Sequence, residues 1–186
     1  MPKLTVPHFN KWEREIFEKR DIKLIEDLRI DDFEKEIQRF LKEHNVLHLA
    51  TCRDHEARST PLEYWSNGLN VHIMSEGGGK IGNMKTNPKV AYSIAEPYFP
   101  QKDFFGAVGL QVWGTASIFK KNDDIEKFKE IYAYSHYSKT PDALRNQDVS
   151  QVSEWLNFNI ITIEPTKIRY LNVKNGYRNV MWKKEG

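Results

Sequence analysis

The sequence predicts a mainly β protein: an antiparallel sheet of six or seven short strands, able to close into a small barrel, with helices on its flanks. Three observations predict it. Short apolar runs that alternate with polar residues recur between residues 46 and 119 and again after 157, which is the period of a half-buried strand. Turn residues separate the runs at short intervals, and Asn67-Gly68 is the clearest hairpin signal, since both residues tolerate positive φ. Outside the first 30 residues, helical spacing is confined to 32–43, a short piece at 80–86, and 123–134.

Each element follows in order. Residues 1–30 form an N-terminal arm whose charges nearly cancel. Trp12, Ile16 and Phe17 fall on one helical face, as do Leu24 and Leu28, so the arm is expected to hold helical turns packed on the body or on a partner subunit. The main domain is 31–186. Asp31 or Asp32 is placed to cap a helix in which Phe33, Ile37, Phe40 and Leu41 recur at helical spacing. Val46–Thr51 reads as a first strand and Arg53–Glu56 as a turn. Arg58–Trp65 is a second strand, Ser66-Asn67-Gly68 a turn, and Asn70–Ser75 a third strand. Gly77-Gly78-Gly79 leads into the short helix, which Pro88 stops. Val90–Ala95 is a fourth strand. Leu110–Phe119 is a fifth, in which Gly114 suggests a bend or bulge. The helix over 123–134 sets Ile125, Phe128 and Ile131 on one face. Residues 135–150 are polar and turn-rich. Asn157–Ile163 and Ile168–Val173 complete the strands.

Composition sets the outer bounds. A chain of 186 residues makes one domain with an added terminal segment, and 39% hydrophobic with 29% charged residues is a globular balance. No apolar run approaches the roughly 20 residues of a membrane span, and the first residues lack the apolar stretch of a signal peptide. A cytoplasmic protein is expected, with no membrane partner. The net charge of +2 gives no reason to expect a nucleic-acid partner. The basic segment 167–184 holds six Lys or Arg and no Asp or Glu, and reads as a solvated face. The single cysteine, Cys52, cannot form an internal disulfide, which fits a reducing compartment, and is expected to be a small packed residue. An aromatic content of 12% favours an oligomer or a site for a flat ligand.

Several chemistries have no motif here. There is no Walker-type loop, no Cys-x-x-Cys and no serine in a nucleophile elbow. His48 and His72 lie in strands and are expected to be histidines with satisfied partners rather than metal ligands. The informative stretch is 58–83. On a strand, Arg58 and Thr60 face one way. Ser75-Glu76-Gly77-Gly78-Gly79-Lys80 then runs directly into a helix. The glycines let backbone N–H groups approach a ligand, the helix N-terminus adds partial positive charge, and Lys80 adds a full one. With Arg58 from the neighbouring strand, this is a plausible phosphate cradle. The same residues also read as a glycine-rich turn with a solvated lysine, and the segment alone does not decide between the two.

The ordered set Leu47–Cys52, Ala57–Leu62, Val71–Ser75, Gly79-Lys80, Asn83, Asn87–Ala91 and Gln111–Ala116 resembles the pyridoxamine 5′-phosphate oxidase-like family of FMN-binding split β-barrels, over roughly residues 32–120. Ile163–Leu171 resembles the family's closing strands more loosely. The resemblance implies an antiparallel split barrel, a homodimer, and FMN in a cleft between subunits. It implies that Arg58 contacts the phosphate, that Ser59, Thr60, Pro61 and Leu62 continue the strand beneath the flavin, and that Met74, Ser75, Gly79 and Lys80 belong to the phosphate loop. Asn83 would face the phosphate from the helix, Gln111 the isoalloxazine edge, and Trp113 either the ring or the dimer seam, unless it is plain core. The oxidase itself has Arg where this chain has Gly79, and Lys where it has Glu63, so pyridoxamine phosphate oxidation is not implied. The expected function is an FMN-dependent oxidoreductase acting on a small-molecule redox substrate, with no residue standing out as a general acid or base. The alternatives are a flavin-binding sensor or carrier without turnover, or a barrel holding deazaflavin or haem. Haem would need His48, His72 or His136 as an axial ligand.

Overall fold

Alternation along each strand decides which face meets the core. On β2 (Val46–Arg53), Leu47, Leu49 and Thr51 are buried while Val46, His48 and Ala50 are exposed. The same alternation carries across β6 (Lys89–Ala95), where Val90, Tyr92 and Ile94 point inward, and along β7 (Val108–Lys120), where Leu110, Val112 and Ala116 do. The computed structural model describes residues 1–101, 105–135 and 157–185. Its remaining elements are β1 (Lys3–Thr5), α1 (Lys11–Glu18), α2 (Ile30–Glu43), β3 (Glu56–Glu63), β4 (Trp65–Asn67), β5 (Asn70–Ser75), α3 (Gly79–Thr86), α4 (Ile125–Tyr132), β8 (Asn159–Asn172) and β9 (Tyr177–Lys183).

Among the described residues nine strands form one antiparallel sheet, in the order β1-β9-β8-β7-β6-β2-β3, with β5 on β8 and β4 on β5. The sheet curls round a single main core as a split β-barrel. The strand β8 is where it forks. Its first part, Asn159–Ile163, pairs with β5, and its second part, from Lys167, pairs with β9, while β7 runs along its other edge. Pro165 stands where β8 exchanges one partner for the next, and the β7–β8 register shifts at Trp113/Gly114. Gly114 is required there: a Cβ would collide with the carbonyl oxygen of Glu164 and lie 2.9 Å from Ile163 Cγ2. The bend expected at Gly114 is thus this bulge.

Helix α2 closes the core with Phe33, Ile37, Phe40 and Leu41, as its spacing predicts. Polar tethers fix it. The Tyr170 hydroxyl donates to Glu36 Oε1 at 2.9 Å, and Trp182 Nε1 donates to Glu34 Oε1 at 2.8 Å. Helix α4 covers a second apolar cluster of Trp65, Phe128, Ile131 and Ile160.

Several expectations are corrected. The two last predicted strands are one, β8, and the basic tail contributes a strand of its own, β9, instead of a solvated run. The second predicted strand ends at Glu63, and Trp65–Asn67 pairs separately with β5, so the turn lies at Gly68-Leu69. Asp31 and Asp32 lie in the first turn of α2, whose N-cap is Arg29 without a side-chain bond. The arm is not only helical. Its first residues form β1 on β9, and α1 is capped by Asn10 and Glu13 in a reciprocal box. Phe17 is buried against Phe9 and Val173, but Trp12 on the same helix is 69% exposed. Arg178 donates to Glu13 and lies over the rings of Phe9 and Phe17, so the arm packs on the body of its own chain. Among the described residues no helix is long and apolar enough to cross a membrane.

Candidate functional site

The cradle expected at 58–83 is assembled by β3, the loop after β5, and α3. Register places Arg58 opposite Thr51 and Thr60 opposite Leu49. Both therefore lie on the face of β3 that carries the buried side of β2, and Leu62 continues that face into the core. Ser59 and Pro61 point to the opposite, outer face, opposite Ala50 and His48. Arg58 is exposed, and its Nε donates a long bond to Thr60 Oγ1 at 3.4 Å.

The loop brings α3 against this arginine. The N-cap of α3 is Gly78, with φ +97 and no side-chain bond to the first-turn amides. That conformation suits glycine and leaves the helix N-terminus open. A Cβ on Gly79 would lie 2.8 Å from Arg58 Nη1. The absence of a side chain at 79 is what lets the guanidinium reach the helix end. Lys80 Nζ donates to Gly77 O at 2.8 Å. Burial, and then the charge of Arg58, hold the Lys80 ammonium below the ordinary lysine range, with Glu76 opposing. Two cations thus crowd one uncapped helix terminus, an arrangement that favours an oxyanion.

Ser75 ends the strand from which the loop leaves. Its side chain is buried, and Oγ has no hydrogen-bond partner. A buried hydroxyl without a partner is uncommon, and an oxyanion ligand would supply one. Asn83 is a turn further along α3, and its Nδ2 donates to Thr51 Oγ1 at 3.1 Å, which ties the helix to β2. Met74 points away from Ser75, into the cluster beneath α4.

Gln111 and Trp113 are elsewhere. Both lie on the outer face of β7, opposite Ser93 and Ala91 of β6, and the sheet order puts β2 and β6 between them and β3. Three strand spacings are roughly 14 Å. One chain therefore does not bring Gln111 to the Arg58–Lys80 pair. Trp113 is half-buried, with Lys167 Nζ 3.7 Å from its ring centroid, so it is not core. Of the histidines, His72 is buried and its Nδ1 shares a 3.0 Å hydrogen bond with Thr162 Oγ1. Burial lowers its pKa to about 4, so the ring is neutral. His48 is exposed on the outer face of β2, with β6, β7 and β8 between it and the β5 of His72 in the sheet order, and His136 lies outside the described residues, as does most of 135–150. Cys52 is only half-buried.

This fold has known counterparts. The family model described as pyridoxamine 5′-phosphate oxidase matches residues 33–172. The chain belongs to the pyridoxamine 5′-phosphate oxidase family. An uncharacterised protein of Rhizobium meliloti (strain 1021) is 36% identical over 62 residues, a match spanning 33% of this chain and 41% of that protein. Among solved structures, a conserved hypothetical protein of Mycobacterium tuberculosis aligns with TM-score 0.60 and 16% identity, over 82% of this chain and 91% of that one. A heme binding protein of Mycobacterium smegmatis aligns with TM-score 0.57 and 15% identity, over 87% and 60%. A FAD-binding protein of Mesorhizobium loti aligns with TM-score 0.51 and 18% identity, over 82% and 94%. At these identities the structures share the fold. The local pattern of 58–83 puts Arg58 and the glycine loop together, as the structure does, but carries no sign of the outward placement of Gln111 beside Arg169. Strand alternation in 163–171 was the available signal for the latter.

Proposed function

We propose that this member of the pyridoxamine 5′-phosphate oxidase family binds FMN and works as a flavin-dependent oxidoreductase on a small-molecule substrate. The observation that carries the reading is the Arg58–Gly79–Lys80 arrangement at an uncapped helix N-terminus, where a Cβ at 79 would occupy the approach of the guanidinium. The residues fit a phosphate monoester. Arg58 offers a guanidinium, Lys80 an ammonium, α3 its first amides, and Ser75 a buried hydroxyl in need of a partner. When bound, FMN supplies hydride or electron acceptance. The protein's part is to hold the phosphate and orient the ring.

Gln111 and Trp113 enter this reading through a second copy of the chain. The outer face of β3, β2 and β6 carries Ser59, Ala50 and Ala91 in one cross-strand row and Pro61, His48 and Ser93 in the next. Such small side chains on a solvent-facing sheet permit close approach by another sheet. A homodimer joined there would carry Gln111 of one subunit toward the ring held by the other. A cytoplasmic, reducing setting fits the single cysteine.

The test is the visible spectrum of the purified, untagged protein, followed by release and identification of the chromophore. Flavin near one per chain, released as FMN, is the expected result. A colourless protein that takes up no added FMN would overturn the reading. A Soret band would redirect it to haem, with His48 as the exposed imidazole among the described candidates.

A further inference from the structure

We infer that the outer face of the sheet carries a second oxyanion site, centred on Arg169, for a small carboxylate or phosphate monoester. Pairing across four strands builds it. Ser93 on β6 lies opposite Gln111 on β7, Gln111 opposite Arg169 on β8, and Arg169 opposite Met181 on β9. A hydroxyl, a carboxamide and a guanidinium therefore stand in one row on one face, spaced by the inter-strand distance of roughly 4.8 Å. They line a cavity of about 420 Å³ together with Asn179, Leu171 and Gly109. That volume is in the range of small-ligand sites.

The guanidinium is held in place. Arg169 Nε donates to Asn179 Oδ1 at 3.1 Å. Asn179 has φ +53, a left-handed conformation, in the stretch where the β8–β9 register shifts. This bulge aims the carboxamide at Arg169 and fixes the side chain through Nε alone. The two terminal nitrogens remain as a fork, the geometry that matches a carboxylate or phosphate by paired bonds. The surroundings are cationic. The adjacent row brings Lys167, Lys183 and Lys3 together across β8, β9 and β1. Among the described residues no carboxylate is in ion-pair distance of these three lysines or of Arg169, and the nearby Glu164 is matched by Lys184 at 3.8 Å. Arginine positioned by a neighbour, within an unneutralised basic field, recruits an oxyanion. Gln111 and Ser93 add neutral donors and acceptors along the row, so the ligand has a polar, uncharged body beyond its anionic end.

This site is separate from the Arg58 cradle, on the other face of the sheet. It rests on the flavin reading only in giving the ligand the role of substrate, since a dimer that brings Gln111 to the ring brings Arg169 beside it. Binding itself needs no flavin, and the test uses that. The flavin-free, full-length protein is titrated with malonate, with methyl phosphate and with neutral malonamide, following the side-chain amide signals of Gln111 and Asn179 by NMR. Saturable shifts with one or both anions and none with malonamide are expected, and the tighter anion names the source of the oxyanion. Arg169→Gln should weaken binding about tenfold or more. Asn179→Gly keeps the left-handed backbone, frees the guanidinium, and should weaken binding about threefold. Arg58→Ala should leave it unchanged. Shifts with neither anion, equal shifts with malonamide, or unaltered binding in Arg169→Gln would each overturn the proposal. Malonate binding in a protein that never takes up FMN would sustain the site while removing the flavin.

Discussion

The two faces of the sheet gather positive charge in different ways. On the inner side, Arg58 and Lys80 meet at the start of α3 because a glycine loop delivers the helix to the strand. On the outer side, Gln111, Arg169 and Lys167 meet because register aligns four strands. The inner group is crowded enough that burial and like charge together lower Lys80. The outer cations are spread along the strand surface at the inter-strand interval. A loop can force charges together against their repulsion and so prepare a tight site. A sheet row spaces them at the strand interval, which suits a longer and more weakly held ligand.

Substitutions can break this contrast. The largest effect is expected from Arg58→Ala, which should lower FMN affinity by about tenfold to a hundredfold through loss of charge-assisted hydrogen bonds. Fluorescence quenching of FMN would measure it, with riboflavin, which lacks the phosphate, as the insensitive control. Equal losses for both flavins would place the arginine away from the phosphate. Gly79→Ala should cost about fivefold in the same titration, because the added methyl displaces the guanidinium from the helix end while leaving both cations in place.

The pH dependence sharpens the contrast further. The Lys80 ammonium ionises below the ordinary lysine range in the flavin-free protein. A bound phosphate would favour the charged form and raise that value, so binding takes up a proton between the two. FMN affinity relative to riboflavin should therefore fall as pH rises through the alkaline region below 10.5, by up to about tenfold per pH unit, and the fall should vanish in Lys80→Arg. The smallest effect is expected from Ser75→Ala. Removing an unpartnered buried hydroxyl should leave the flavin-free protein as stable or up to about 1 kcal/mol more stable, while loosening FMN a few fold. Thermal melts with and without FMN report both signs, and a destabilised flavin-free variant would mean that the hydroxyl already has a use.

What was legible in the sequence follows the same division. The central strands and α2 were legible because Leu47, Leu49, Phe33 and Ile37 repeat at the period of their element. Arg58 and Lys80 were legible because glycines next to a lysine at a helix start form a local pattern. Gln111 was assigned to the ring, but its face and its neighbour Arg169 depend on register between β7 and β8, segments far apart in the chain. The tail strand β9 was obscured by its charges, although Val180 and Trp182 alternate with Met181 and Lys183. Pro165 falls between the two predicted strands, and proline ordinarily interrupts a sheet. It is accommodated at the point where β8 changes partners.

That change of partners also has a consequence for synthesis. One strand near the C-terminus supplies the edge on which β5, β7 and β9 all depend. While the chain is still emerging from the ribosome, the edges of β5 and β7 that face β8 stay unpaired until residue 172 is free. Closure is then a late, long-range event of the kind that proceeds slowly. The nascent protein is most exposed to aggregation just before β8 is released.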